Sequence, residues 1–132
     1  MPDNRREDLS RYRMNTAEET MDAAQICMNG KHYKDAVNRS YYAAFYAVKA
    51  VLALEEKDFK RHKDVVAYFN QHYVATDIFP KEIGRKLARL QQRREKYDYD
   101  DFVIVSKEDG EEQILSAQDV INAVKVYLEK KR

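Results

Sequence analysis

Cysteine, glycine, proline and tryptophan are scarce or missing in this chain of 132 residues. The single cysteine, Cys27, excludes an internal disulfide framework and any zinc site built on cysteine. A reduced, cytoplasmic setting is therefore expected. Three glycines and two prolines supply too few turn residues for an all-β sandwich. Charge of one sign is lacking too: 24 Lys plus Arg against 23 Asp plus Glu leave a formal +1. That excludes a globally basic nucleic-acid binder and leaves a local patch open. The most apolar stretch, Ala36 to Leu54, is interrupted by Asn38, Arg39, Ser40 and Lys49. It falls short of the roughly 18 uncharged apolar residues a membrane span needs. The opening MPDNRREDLSRYR has no apolar core, so no signal peptide is expected.

Ordinary catalytic signatures are absent as well. There is no HExxH, Walker loop, GxSxG or glycine-rich fingerprint. The adjacent carboxylates Glu55–Glu56 and Glu111–Glu112 point apart on a helix and offer no metal or acid–base geometry. No metal and no cofactor is expected.

What is present is helical periodicity in five segments, read as one domain over residues 1–132. The first runs from about Asp3 to Asn29, with Leu9, Tyr12, Thr16, Thr20, Ala23 and Cys27 as its recurring face. Asn29-Gly30 is its stop, where glycine takes the left-handed conformation cheaply. The second runs from Lys31 or Tyr33 to Glu55 and is apolar almost all round, as a central helix is. The third covers Arg61 to Val74 with Val65, Val66, Phe69 and Tyr73 inward. Pro80 suits the first turn of the fourth, which carries Ile83, Leu87 and Leu90. The fifth opens at Ser106, close to a capping box with Asp109 in the third position, and continues Ile114, Ala117, Ile121, Val124, Leu128. Phe102 to Val105 has no second strand to pair with and reads as an extended connector. The expected fold is all-α, an up-and-down bundle of four to five helices.

Residues 81–96 hold Lys81, Arg85, Lys86, Arg89, Arg93, Arg94 and Lys96 against two glutamates, and the stretch 98–112 is acidic but for Lys107. Five of these cations (Arg85, Lys86, Arg89, Arg93, Lys96) share an arc of about 100°. The stripe is either a solvated face beside an acidic loop or a surface for phosphate or RNA. Arg94 falls instead in line with Ile83, Leu87 and Leu90. It either pairs with one of Asp98, Asp100 and Asp101, stapling helix to loop, or joins Tyr97 and Tyr99 in a nucleotide or RNA site. On the second helix Asn38, Arg39, Tyr42, Tyr46 and Lys49 form one polar arc, read as an interface because Tyr and Arg bury area while keeping a polar handle. His62, in Lys60-Arg61-His62-Lys63, is a capping or solvated residue or, with Lys63, part of a phosphate-binding corner.

The run Tyr33-Lys-Asp-Ala-Val-Asn-Arg-Ser-Tyr-Tyr-Ala-Ala-Phe-Tyr-Ala-Val-Lys-Ala-Val-Leu52 resembles the HEPN family of small helical bundles. The likeness continues through Arg61-His-Lys63, Ile78-Phe-Pro-Lys-Glu-Ile-Gly84 and Arg94-Glu-Lys-Tyr-Asp-Tyr99. It implies a homodimer that works beside a small nucleotidyltransferase in a toxin–antitoxin-like pair. Many family members are metal-independent ribonucleases, using an Arg followed within a few residues by a His late in the bundle. Here no histidine follows His72. The arginine carries over to Arg93 or Arg94 and the histidine carries over to nothing, so the chain resembles the branch with Arg followed by Asp-Tyr. The expected role is a binding module for nucleotide or RNA through Arg93, Arg94, Tyr97, Asp98, Tyr99, His62 and Lys63. Its expected interface is Arg39, Tyr42, Tyr46 and Lys49. The alternative is a metal-independent endoribonuclease with a variant site drawn from Arg93, Arg94, Tyr97 and Tyr99. The resemblance also makes Tyr97 and Tyr99 candidate acceptors of a nucleotide from the partner enzyme.

Overall fold

The helical periods are realised along nearly the whole chain. In the computed structural model, which describes residues 4–131, α1 spans Arg5–Asn29, α2 Tyr33–Ala53, α3 His62–Phe69, α4 Lys81–Tyr99 and α5 Lys107–Lys131. A π-helical turn, Asn70–Val74, extends α3. The described residues contain no strand. The expected start of the first helix at Asp3 lies outside them.

α2 is the central helix. It packs on α1, α3, α4 and α5, and Ala36, Ala43, Ala44, Ala47 and Ala50 are fully buried. Small side chains on several faces let the neighbours approach closely, which is why this helix reads as apolar all round. The inner faces of α3 and α5 are those the spacing predicts: Val65, Val66, Phe69 and Tyr73, then Ala117, Ile121, Val124 and Leu128, with Ile114 half-buried. Leu87 and Leu90 of α4 are fully buried.

α1 presents a different stripe from the expected one. Leu9 and Tyr12 are exposed, and Thr16, Thr20, Ala23 and Cys27 are only half-buried. The core face is Ser10, Met14, Ala17, Met21, Ala24 and Met28. Flexible methionines and small residues fit the seam against α2, and the Ser10 hydroxyl is satisfied by donating to the Ala50 carbonyl at 2.8 Å.

The α1 stop also differs in detail. Gly30 keeps φ −83°, and the left-handed residue is Lys31 at φ 64°. The His32 N–H reaches the Cys27 carbonyl at 2.8 Å and the Lys31 N–H reaches Met28 at 3.0 Å, a Schellman motif with lysine in the usual glycine position. α2 ends the same way on Glu56 at φ 56°, with Lys57 N–H to Leu52 and Glu56 N–H to Ala53.

At the other end of the bundle the Asp109 N–H donates to Ser106 Oγ at 3.0 Å, so Ser106 caps α5 as its position predicts. The connector before it starts on a turn, not extended as expected at Phe102, and its side chains alternate in and out. Val105 is buried with Val37 and Tyr97 in a small satellite core that Val103 and Tyr33 flank. Phe102 and Ile104 are wholly exposed, and Phe102 sits at φ 60°.

Candidate functional site

Two adjacent arginines near the end of α4 serve opposite sides of the helix. One residue is about 100° of helical rotation, enough to send Arg93 toward α5 and Arg94 toward α2. Arg93 Nε lies 3.8 Å from Asp109 Oδ1, and the Tyr97 hydroxyl donates to the other oxygen of the same carboxylate. Gln113 Nε2 donates to Asp109 at 3.2 Å. Tyr97 is buried, and burial together with the bond to Asp109 raises its pKa. Its hydroxyl joins α4 to α5, while its ring packs with Val37 of α2 and Val105 of the connector. The expected grouping of Arg93, Tyr97 and Arg94 in one site is therefore split by the fold.

The rest of the basic stripe is partly neutralised in the same seam. Lys86 Nζ lies 2.5 Å from Asp119 and Arg89 Nη1 3.1 Å from Glu112. With Arg93 on Asp109, these pairs lace α4 to α5. The side chains of Arg85 and Lys96 of the stripe make no hydrogen bond or ion pair among the described residues.

Arg94 stands in a different setting. Its guanidinium carbon lies 5.4 Å from the ring centroids of both Tyr41 and Tyr42 on α2. Its Nε donates to Asp98 at 3.1 Å, one helical turn on. The ion pair with an aspartate is thus within the helix, and the aromatic contacts are what join Arg94 to α2. The terminal nitrogens of Arg94 make no hydrogen bond to a described residue. A guanidinium held by its Nε edge and stacked on aromatic rings still presents two N–H-bearing nitrogens, the fork that binds phosphate.

His62, at the start of α3, closes the same face. Its ring centroid lies 4.3 Å from that of Phe45, 5.7 Å from Tyr42 and 6.4 Å from Tyr41. Burial lowers its pKa, and the positive charges of Arg94 and Lys49 lower it further. Lys49 lies over Phe45 and shares Asp58 with Arg13, at 3.5 Å and 3.2 Å. Burial opposes ionisation of Asp58, but the Phe59 N–H, Lys49 and Arg13 together outweigh it and hold its pKa low. Arg39 lies over Tyr42 at 5.3 Å, with only the Asn38 amide oxygen as its hydrogen-bond partner. Four cations (Arg13, Arg39, Lys49, Arg94) thus face Asp58 and Asp98, with Glu95 near Tyr41 at the edge. The surface is aromatic with an excess of positive charge.

The polar arc expected on α2 is part of this face: Asn38, Arg39, Tyr42, Tyr46 and Lys49 are all half-buried, and the Tyr42 and Tyr46 rings lie 6.2 Å apart. Lys63 is exposed beside His62, and Tyr99 is exposed beyond Asp98. Sequence reasoning missed Tyr41, Phe45, Arg13 and Asp58. Tyr41 and Phe45 look like ordinary core residues four apart. Tyr41 is fully buried beneath Arg94, and burial pushes its pKa up to about 12 in spite of that charge. Nothing in the sequence joins Arg13 or Asp58 to the second helix. Among the described residues no group of three His, Cys, Asp or Glu could hold a metal ion, and no helix is long and apolar enough to cross a membrane.

Known proteins share both sequence and fold with this chain. A UPF0332 protein of Thermotoga maritima is 32% identical over 126 residues, covering 96% of each chain. A Methanocaldococcus jannaschii protein named "Putative toxin MJ0142" is 30% identical over 112 residues, 85% of this chain and 76% of that one. The crystal structure of ST0689, an archaeal HEPN homologue, superposes with a TM-score of 0.72 at 21% identity, covering 89% of this chain and 96% of that one. At that identity the superposition establishes the bundle fold. The family model described as HEPN domain matches residues 10–127, so the chain belongs to the HEPN domain family.

Proposed function

We propose that this protein is a toxin-like HEPN module that binds the phosphate of a nucleotide or RNA at the face formed by α2, the start of α3 and the end of α4. The observation that carries the reading is Arg94: set over the Tyr41 and Tyr42 rings, held through Nε alone, with neither terminal nitrogen hydrogen-bonded to a described residue. Stacking rings beside a bidentate cation suit a base next to a phosphate. Relatives from Methanocaldococcus jannaschii that carry the name "Putative toxin" support the toxin-like part.

The same face supports homodimerisation. Arg39, Tyr42, Tyr46 and Lys49 are at once the expected interface and the wall of the phosphate site, so a second copy seated there brings two Arg94 groups together. The small nucleotidyltransferase partner docks on the connector between α4 and α5. Phe102 and Ile104 stand uncovered there beside Asp100 and Asp101, and such patches mark interaction surfaces. Tyr99, exposed where Tyr97 is buried, is the open acceptor for nucleotide transfer. The protein works in the cytoplasm.

Two measurements test this. Fluorescence anisotropy with a labelled single-stranded RNA yields saturable, salt-sensitive binding that Arg94→Ala weakens. Co-expression with the product of a neighbouring nucleotidyltransferase reading frame yields a complex that the double variant Phe102→Asp, Ile104→Asp loses while its helical circular dichroism is retained. RNA that binds no better than to the Arg94→Ala protein refutes the site.

A further inference from the structure

Three hollows lie in a row along the seam between α1 and α5. Glu18 borders that seam, about 140° around α1 from Arg13, so the row faces away from the α2 face. The two helices run antiparallel there. Arg11 shares a hollow with Glu129, Glu18 lies 2.6 Å from Lys125, and Gln25 shares a hollow with Glu111. Each hollow is walled by one methionine of α1 and one aliphatic residue of α5: Met14 with Leu128, Met21 with Ile121, Met28 with Ile114. We propose that this groove docks a basic amphipathic helix of a partner protein, whatever the α2 face binds.

The spacing carries the helical part. Both rows repeat every seven residues, about 10.5 Å of helix, so the hollows span about 21 Å from first to last. A seven-residue repeat is what a helix presents when it packs alongside other helices, so one face of a helix of about 15 residues sets a side chain in each hollow. The methionines are 7%, 8% and 9% exposed, while Ala17 and Ala24 on the same face of α1 are fully sealed. Solvent thus reaches the core at the three positions where the row repeats. Methionine adapts its shape to the side chain it meets. At one end Leu115, 67% exposed, extends the apolar wall outward.

The rim sets the sign of the partner. Glu18, Asp22, Glu111 and Glu129 line the three hollows against Arg11 and Lys125. Lys125 is taken by Glu18, and neither Asp22 nor Glu129 has an ion pair among the described residues. Carboxylates outnumber cations on this rim, so Lys and Arg beside the apolar row of the incoming helix meet opposite charge. A second copy of this chain seated here would set acidic rim against acidic rim, and like charges brought together oppose docking.

The test is NMR of the full chain with 13C-labelled methionine methyl groups, titrated with two synthetic helical peptides of about 18 residues. Both carry leucine in a heptad row; one has lysine and the other glutamate on the flanking positions. The lysine peptide is expected to shift the methyl signals of Met14, Met21 and Met28 in a saturable way. The glutamate peptide should bind about tenfold more weakly or less. Asp22→Lys and Leu115→Asp, at exposed positions, should each weaken the lysine peptide by about threefold or more while the methionine spectrum of the free protein is kept. Methyl signals that neither peptide moves overturn the proposal. Equal binding of the two peptides, or wild-type affinity in both variants, overturns it as well. Methyl shifts that follow protein concentration without peptide would place a second copy in the groove and overturn it too.

Discussion

Replacing Arg93 and Arg94 one at a time by alanine asks whether the α2 face, and not the basic stripe of α4, is the binding surface. The two residues are neighbours of identical type, so composition and net charge change equally. Arg93 loses a part-exposed ion pair with Asp109 at 3.8 Å, and Asp109 keeps Tyr97 and Gln113 as donors. At this exposure such a pair contributes about 0.5–1 kcal/mol after screening. A domain of this length then melts about 2–5 °C lower. Arg94 loses its pair with Asp98, about 0.3–0.5 kcal/mol, and two cation–π contacts of about 0.5–1 kcal/mol each. Together these come to about 1.3–2.5 kcal/mol, so its melting point drops two to three times as far, by about 5–12 °C. Affinity separates them. A charge-assisted hydrogen bond to phosphate contributes about 1.5–3 kcal/mol, so Arg94→Ala weakens RNA binding by about 10- to 100-fold. Arg93→Ala changes it by less than about threefold, the long-range effect of one screened charge. The assay is anisotropy with a labelled single-stranded RNA at fixed salt, with thermal melts on the same preparations. Equal losses of affinity for the two variants would mean that the stripe along α4 binds, and the argument from Arg94 would fail.

Three further outcomes follow from the same geometry. Asp98→Asn removes the one carboxylate on Arg94 and should tighten RNA binding by roughly fivefold, about 1 kcal/mol at this exposure, read by the same anisotropy. Lys31→Gly relieves a left-handed backbone at a non-glycine residue and should stabilise the protein by about 1 kcal/mol in urea unfolding, whereas Gly30→Ala, at φ −83°, needs no such relief. Folding lowers the His62 pKa, so the unfolded chain binds that proton more readily. The penalty is absent above about pH 6.5 and grows as pH falls from there through the folded value. The loss of urea midpoint between neutral and mildly acid pH should therefore be smaller in His62→Asn than in wild type.

Much of the fold is legible from local pattern. Each helix is marked by apolar residues at three- and four-residue steps, and Ser106 announces the start of α5 because a cap acts on the backbone beside it. The α1 face was not legible: that helix is largely polar, and its Leu9–Tyr12 and Met14–Met21 rows differ by little in hydrophobicity. Which row turns inward depended on the fit of methionines and small residues against α2. The left-handed residue after α1 moved from Gly30 to Lys31 because the Schellman hydrogen bonds set the position and glycine only lowers its cost.

The candidate site divides along the same line. Composition and spacing by themselves determined that there is no disulfide framework, that the chain is a helical bundle, and that α2 carries a cationic and aromatic arc. The tertiary structure alone decided that Arg93 belongs to the α4–α5 seam and Arg94 to the α2 face, and that His62 completes the latter. The physical reason is one of range. Periodicity and caps arise from interactions within a few residues, while the site is made where α2, α3 and α4 cross, and the crossing is set by packing of the whole core.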